Sequence, residues 1–250
     1  MRQSYFITNN ILKAILTGFA LLFLATSCTQ VYLPNALFTP MFEEKGDIRV
    51  QASVGIPELS LQSGYAFGNN IAITAGGLYF PFNDNGSRAY LLESGLAYFN
   101  NPGGNYSYDL MAGAGYGETR HINHFTTIFS GSQRESHRNA DFTRVYLQYG
   151  IHFPAKPLTF SLVSRMSNLY FFKYEDYLLP EGASLNDKFE KNIYGLFMEP
   201  NLHISLDVGK VSLFTQTGFV LPIAGPGTDI DHNLMMFNFG VRLNFNAFKR

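Results

Sequence analysis

The sequence predicts an all-β protein, an antiparallel up-and-down transmembrane β-barrel of about 10 strands, within a range of roughly 8 to 12. Three observations predict it. From Ile48 onward, short segments of alternating apolar and polar residues recur without a helical period; short and long polar connections alternate between them; and glycines gather on the polar face. Alternation alone fits a soluble barrel with an apolar interior equally well. The other two observations favour polar-inward: outer-membrane barrels have short turns at one end and longer loops at the other, and Gly64, Gly95, Gly113, Gly115, Gly150, Gly195 and Gly240 would only weaken strands on an outer polar surface.

Composition agrees. The 250 residues carry a net charge of -1 with 15% charged residues, which leaves no basic footprint for nucleic acid. Aromatic residues make up 16%, with 15 Tyr and 24 Phe, yet the mean hydropathy is only -0.02. A bundle of membrane helices is excluded by that value, whereas strands apolar on one face satisfy it.

Along the chain, residues 1–27 read as an export leader: Arg2 and Lys13 give a positive front, and Ala14 to Leu24 give an apolar core too short to span a bilayer as a helix. Ala25-Thr26-Ser27-Cys28 follows, ending in the only cysteine. This stretch resembles the lipobox of bacterial lipoproteins, with Ala25 where that family usually has Leu. The resemblance implies cleavage before Cys28 and acylation of its thiol, and a lone exported thiol has no intramolecular disulfide partner. Each buried CH₂ of such a lipid adds on the order of 0.8 kcal/mol of membrane affinity. Residues 28–46, with Pro34, Pro40 and Gly46, are expected to be a lipidated N-terminus and periplasmic tether, and 47–250 the barrel.

Strands are expected near 48–55, 58–67, 71–80, 89–99, 106–118, 141–153, 158–172, 192–207, 211–220 and 233–246. The clearest is 141–153, where Val145, Leu147, Tyr149, Ile151 and Phe153 share one face and Arg144, Gln148, Gly150 and His152 the other. Tight turns at Gly68-Asn69-Asn70, Asn101–Asn105, Pro154–Pro157 and Gly209-Lys210 alternate with longer links around 81–88, 119–140, 173–191 and 221–232, the brief turn near Ile56-Pro57 being the one exception. Both chain ends are then expected on the periplasmic, short-turn side. Tyr79, Tyr98, Tyr106, Tyr108, Tyr149 and Phe245, near strand ends, are expected to form interfacial girdles. In the last strand, Asn238, Gly240, Leu243 and Phe245 fill the pattern polar-x-Gly-x-x-apolar-x-aromatic. That pattern resembles the β-signal by which outer-membrane proteins are recognised for insertion, although Asn246–Arg250 follow it here. The resemblance implies an outer-membrane location and a transient partner in the assembly machinery, with membrane lipids as lasting partners.

The polar face carries Arg49, Glu58, Glu93, Asp109, Arg144, His152, Arg165, Glu199, His203, Asp207 and Arg242. Charges in a narrow interior must pair, so a lumen charge network of Arg49, Glu93, Asp109, Arg144, Arg165, Glu199 and Arg242 is expected to fill it. The alternative is a selective pore or ligand pocket lined by Glu93, Arg144 and Arg165. His121, His124 and His137 with Glu118 and Glu135 share one expected loop, but nothing in their spacing fixes a coordination geometry, and no metal is assigned. Arg165-Met166-Ser167-Asn168 resembles the His-x-Ser-Asn stretch of barrel-type lipid A deacylases, with Arg165 in the place of the base that Ser167 would need. No cofactor motif is present. The expected function is therefore a non-catalytic outer-membrane barrel lipoprotein, anchored at Cys28, with a structural, envelope-maintenance or surface-interaction role towards a surface or periplasmic protein. A narrow channel or small-ligand transporter is the first alternative and a lipid-modifying hydrolase the second.

Overall fold

The computed structural model describes residues 31–55, 58–80, 87–102, 105–126, 133–180, 192–229 and 232–248, and its side-chain detail excludes 122–126, 133–137, 176–180 and 228–229. The leader and Cys28 lie outside the described residues. Eleven strand segments succeed one another: β1 (Asp47–Gly55), β2 (Leu59–Ala66), β3 (Ile71–Phe80), β4 (Arg88–Asn100), β5 (Ser107–Thr126), β6 (Gln133–Ala155), β7 (Leu158–Pro180), β8 (Ile193–Val208), β9 (Val211–Phe219), β10 (Leu221–Ala224) and β11 (Met235–Asn246). From β1 to β9 each strand pairs antiparallel with the next. The ring closes because β11 pairs with both β9 and β1. The short β10 continues the line of β9 along β8, where Leu221 faces Met198 beyond the Asn201–Gly218 pair. The barrel therefore has ten staves, one of them interrupted at Val220.

Burial runs opposite to that of a soluble protein. Leu61, Leu92, Val145 and Leu147 are 60%, 63%, 62% and 51% exposed, while Arg144, Arg165 and Glu199 are at most 1% exposed. The outer face is thus apolar, as a lipid-facing exterior requires, and the interior holds most of the buried polar groups together with an apolar cluster that includes Leu91, Phe142, Leu169, Phe171 and Phe197. Exposed aromatics follow cross-strand rows. Tyr98 and Tyr149 both pair with Leu110 in the lower row, and Tyr116, Thr143, Tyr170 and Tyr194 succeed one another across β5 to β8 in the upper row.

The four tight turns, Gly46 and Asn246 lie at one end of the barrel, called here the short-turn end, and the longer links lie at the loop end. Two expectations are corrected. The 119–140 and 173–191 links are not loops throughout, because β5, β6 and β7 run on to Thr126, back from Gln133 and on to Pro180. Backbone pairing persists in these extensions although the apolar-polar alternation of the sequence does not.

The second correction concerns residues 31–46, expected to be a tether outside the barrel. They run through the lumen instead. Val31 to Pro40 are all buried. The Val31 carbonyl accepts a bond from the Thr119 hydroxyl (2.9 Å), and the Tyr32 carbonyl accepts one from the Asn233 N–H (3.3 Å), both at the loop end. The Gly46 N–H donates to the Ala66 carbonyl (2.7 Å) at the short-turn end, where β1 begins.

Candidate functional site: the lumen and the segment inside it

An extended segment inside a barrel has no sheet partner, so its backbone groups must find side chains or water. Here the wall supplies them. Seven consecutive carbonyls, from Asn35 to Met41, each accept from an inward side chain of the barrel. Asn35 takes Arg165 (3.2 Å), Ala36 takes Gln62 (2.7 Å), Leu37 takes Gln51 (3.2 Å) and Gln216 (2.6 Å), and Phe38 takes Gln148 (2.7 Å). Thr39 takes Arg242 (2.7 Å), while Pro40 and Met41 share Arg49 (3.1 and 3.4 Å). The Gln216 amide also accepts the Leu37 N–H at 3.0 Å, so it grips both sides of that residue as a strand would.

Side chains of the segment complete the fit. The Tyr32 hydroxyl donates to Glu199 (2.8 Å) and receives Arg144 (3.3 Å). Asn35 donates to Glu93 (2.8 Å) and accepts from Arg144 (2.9 Å), and Thr39 lies 3.1 Å from His203 Nδ1. Phe42 packs at 5.4 Å on Phe99, and Phe38 and Phe42 come so close to Gly64 that a Cβ there would sit 3.0 and 2.7 Å from their rings. That glycine is a matter of space.

The seven residues expected to form one lumen charge network divide into a central cluster and three outlying pairs. In the centre Glu93 pairs with Arg144 and Glu199 with Arg165, and Tyr32 and Asn35 link the two pairs. Both guanidinium carbons lie over the Tyr146 ring, at 5.4 and 5.9 Å from its centroid. Nearer the short-turn end, Arg49 pairs with Asp47 (2.8 Å), Arg242 with Asp207 (3.4 Å) and Asp109 with His152 (2.7 Å). Asn238 and Gly240 face inward on β11 and Phe245 is exposed, so the insertion-signal residues span both faces.

One constellation escaped the sequence reading. His152 stands between Asp109 (Nε2–Oδ2 2.7 Å) and Ser161 (Nδ1–Oγ 2.9 Å), contributed by the neighbouring strands β6, β5 and β7. A serine, a histidine and a carboxylate in line are the parts of a nucleophilic triad. All three are at most 2% exposed, and the Ser161 hydroxyl has no open space before it in which an acyl group would sit. Ser167, the serine singled out from sequence, is fully buried beside the Glu199 carboxylate, which is already paired with Arg165. Among the described residues no three His, Cys, Asp or Glu converge on a metal position. His121 and Glu118 are described, whereas the side chains of His124, Glu135 and His137 are not.

Two small cavities lie beside the inner segment among the described residues. One cavity between Phe38, Tyr146 and Gln148 and another between Pro34, Glu58 and Asn238 measure about 10 Å³ each, the size of one water molecule. What the sequence reading missed is the role of Gln51, Gln62, Gln148 and Gln216 in holding a backbone, although Gln148 was placed on the inward face. An inventory of charges passes over them, yet four glutamines at inward positions of four strands were there to be read.

No protein family matches this sequence, and no curated protein does. Among solved structures, the chain is similar to the translocator domain of the autotransporter NalP from Neisseria meningitidis, at 12% identity and a TM-score of 0.40, covering 81% of this chain and 87% of that one. It is also similar to LpxR from Salmonella typhimurium, at 8% identity and a TM-score of 0.36, covering 80% of this chain and 100% of that one. At these scores no residue role passes from either protein to this one.

Proposed function

We propose that the chain is an outer-membrane β-barrel lipoprotein, closed by its own N-terminal segment, that serves the envelope structurally or as a surface for a protein partner and performs no chemistry of its own. The observation that carries this reading is the filled lumen: residues 31–42 occupy it, and the two cavities described beside them are each the size of one water. Barrels of about eight to ten strands have little interior to begin with, and open aqueous channels belong to those of roughly 16 to 18. The exposed apolar exterior supports a lipid environment, and the lipobox-like Ala25–Cys28 supports a lipid on Cys28. Membrane lipids are then its permanent partners, and the assembly machinery that reads Asn238, Gly240, Leu243 and Phe245 a transient one. The burial of Ser161, His152 and Asp109 supports a structural role for that trio, a hydrogen-bonded tie across three strands.

Two measurements test the reading. In planar bilayers the purified barrel is expected to be silent, and a variant lacking residues 31–42 to conduct. Steady ion-selective conductance of the intact protein, altered by Glu93→Gln or Arg144→Gln, would promote the channel alternative. Intact-mass analysis of membrane-extracted protein is expected to show a lipidated N-terminus at Cys28, and Cys28→Ala to abolish both the lipid and processing at that site. An unchanged mass removes the lipoprotein part.

A further inference from the structure

We propose that the lumen is a binding channel for extended, uncharged polypeptide, recognised chiefly through its backbone, and that the chain's own residues 31–42 are its resident ligand. The argument starts from which groups are read. Seven carbonyls in a row are held by wall side chains, whereas only Tyr32, Asn35 and Thr39 make side-chain hydrogen bonds to the wall. Carbonyls are common to every peptide, so this is recognition of a chain in extended form and only weakly of its sequence, as in strand addition, but with amide and guanidinium side chains in place of a sheet edge.

The chemistry of the occupant fits the wall. Residues 31–42 contain no Asp, Glu, Lys, Arg or His, and charge resumes immediately afterwards at Glu43-Glu44-Lys45. A neutral occupant suits a lumen whose central charges are already matched, Glu93 with Arg144 and Glu199 with Arg165, because a further charge there would be buried without a partner. Length fits as well. Twelve extended residues reach roughly 40 Å, enough to run from one mouth of a bilayer-spanning barrel to the other. The proposal concerns what the lumen holds and stands whether or not Cys28 is acylated.

The test frees the occupant and offers another. A protease site placed after Lys45, which is exposed at the short-turn end, lets the full-length barrel be cut after it has folded. The cut barrel, in detergent, is then given a fluorescent synthetic peptide of residues 31–42, a scrambled peptide of the same composition, and one with Ala36 and Leu37 replaced by Glu. The expected result is uptake of the first two with affinities within about ten-fold of each other, and weaker uptake of the charged peptide by about a hundred-fold or more. Gln216→Leu, which loses both backbone bonds to Leu37, is expected to weaken uptake of the native peptide roughly ten-fold. No uptake by a cut barrel that keeps its folded mobility on gels overturns it, and so does uptake confined to the native sequence.

Discussion

Arg144 and Arg165 are the largest fully buried side chains of the lumen wall, and the Arg144 guanidinium is divided among Glu93, Asn35 and Tyr32. Removing one member of a buried ion pair leaves the other charge uncompensated, a loss of about 3 to 5 kcal/mol. Glu93→Gln is therefore expected to destabilise the barrel by about that amount in urea titrations followed by circular dichroism, and Glu93→Gln with Arg144→Gln by less than the sum of the single changes. Additive losses would mean the pair is not coupled. Glu58 offers a test through pH. It lies in the connection between β1 and β2, one of its oxygens has no partner, and burial pushes its carboxyl up to about 8 against the opposing pull of the Ala36 N–H and Arg165. The folded state then holds a proton that the unfolded state releases near its ordinary value of 4.5, so stability falls as pH rises from that value towards 8 and levels off above it. Glu58→Gln is expected to flatten this slope and to stabilise the barrel more at pH 9 than at pH 4, a reversed or absent difference meaning that Glu58 is ionised in the fold.

At the scale of the element, β6 shows what a strand in this barrel must satisfy. Leu147 is exposed on the outer face, and an arginine at the bilayer midplane there costs roughly 2 to 4 kcal/mol, so Leu147→Arg is expected to impair insertion in vesicle-assembly assays. The sequence predicts that Gln148→Arg is milder, because a charge costs less in the lumen than on the lipid face of a barrel. The structure adds a second demand at that position: Gln148 is 2% exposed and holds the Phe38 carbonyl at 2.7 Å. Gln148→Leu strands a buried acceptor, a loss of about 1 to 3 kcal/mol in the same urea titration, and a neutral result would mean water takes the place of the amide. The contrast shows what the sequence made legible. All ten expected strands exist, with ends within a few residues where the strand lies in the apolar belt, because alternation there is enforced by two different solvents. Where β5, β6 and β7 leave the belt that enforcement stops, and their outer ends were read as loop. The inner segment was illegible for a related reason: a neutral stretch with two prolines has the same composition whether it is a solvated linker or the filling of a pore. Only the four inward glutamines distinguish the cases, and their role depends on what stands opposite them.

For the whole molecule, the direction of threading has consequences that no single strand reveals. The Leu37 carbonyl accepts from Gln51 of β1 and Gln216 of β9, and the Thr39 carbonyl from Arg242 of β11, so the segment touches the strands on both sides of the β1–β11 seam. A barrel that closes at this seam closes around its own N-terminal segment. Because Val31 sits at the loop end and Gly46 at the short-turn end, the described segment crosses the lumen from the loop side, whereas both chain ends are expected from sequence on the short-turn side. Val31 is three positions after Cys28, a reach of about 10 Å, so a lipid on that thiol would enter the leaflet on the loop side. Epitope tags decide this. One tag is inserted between Gln30 and Val31, a second in the 81–86 loop and a third in the 101–105 turn, each in an otherwise unchanged chain. On intact cells the first two tags are expected to bind antibody together, with the third reached only after the membrane is opened. Should the first tag behave like the third while the second stays accessible, the N-terminal segment does not cross the barrel in the cell, and both the closed lumen and its peptide-binding character fall with it.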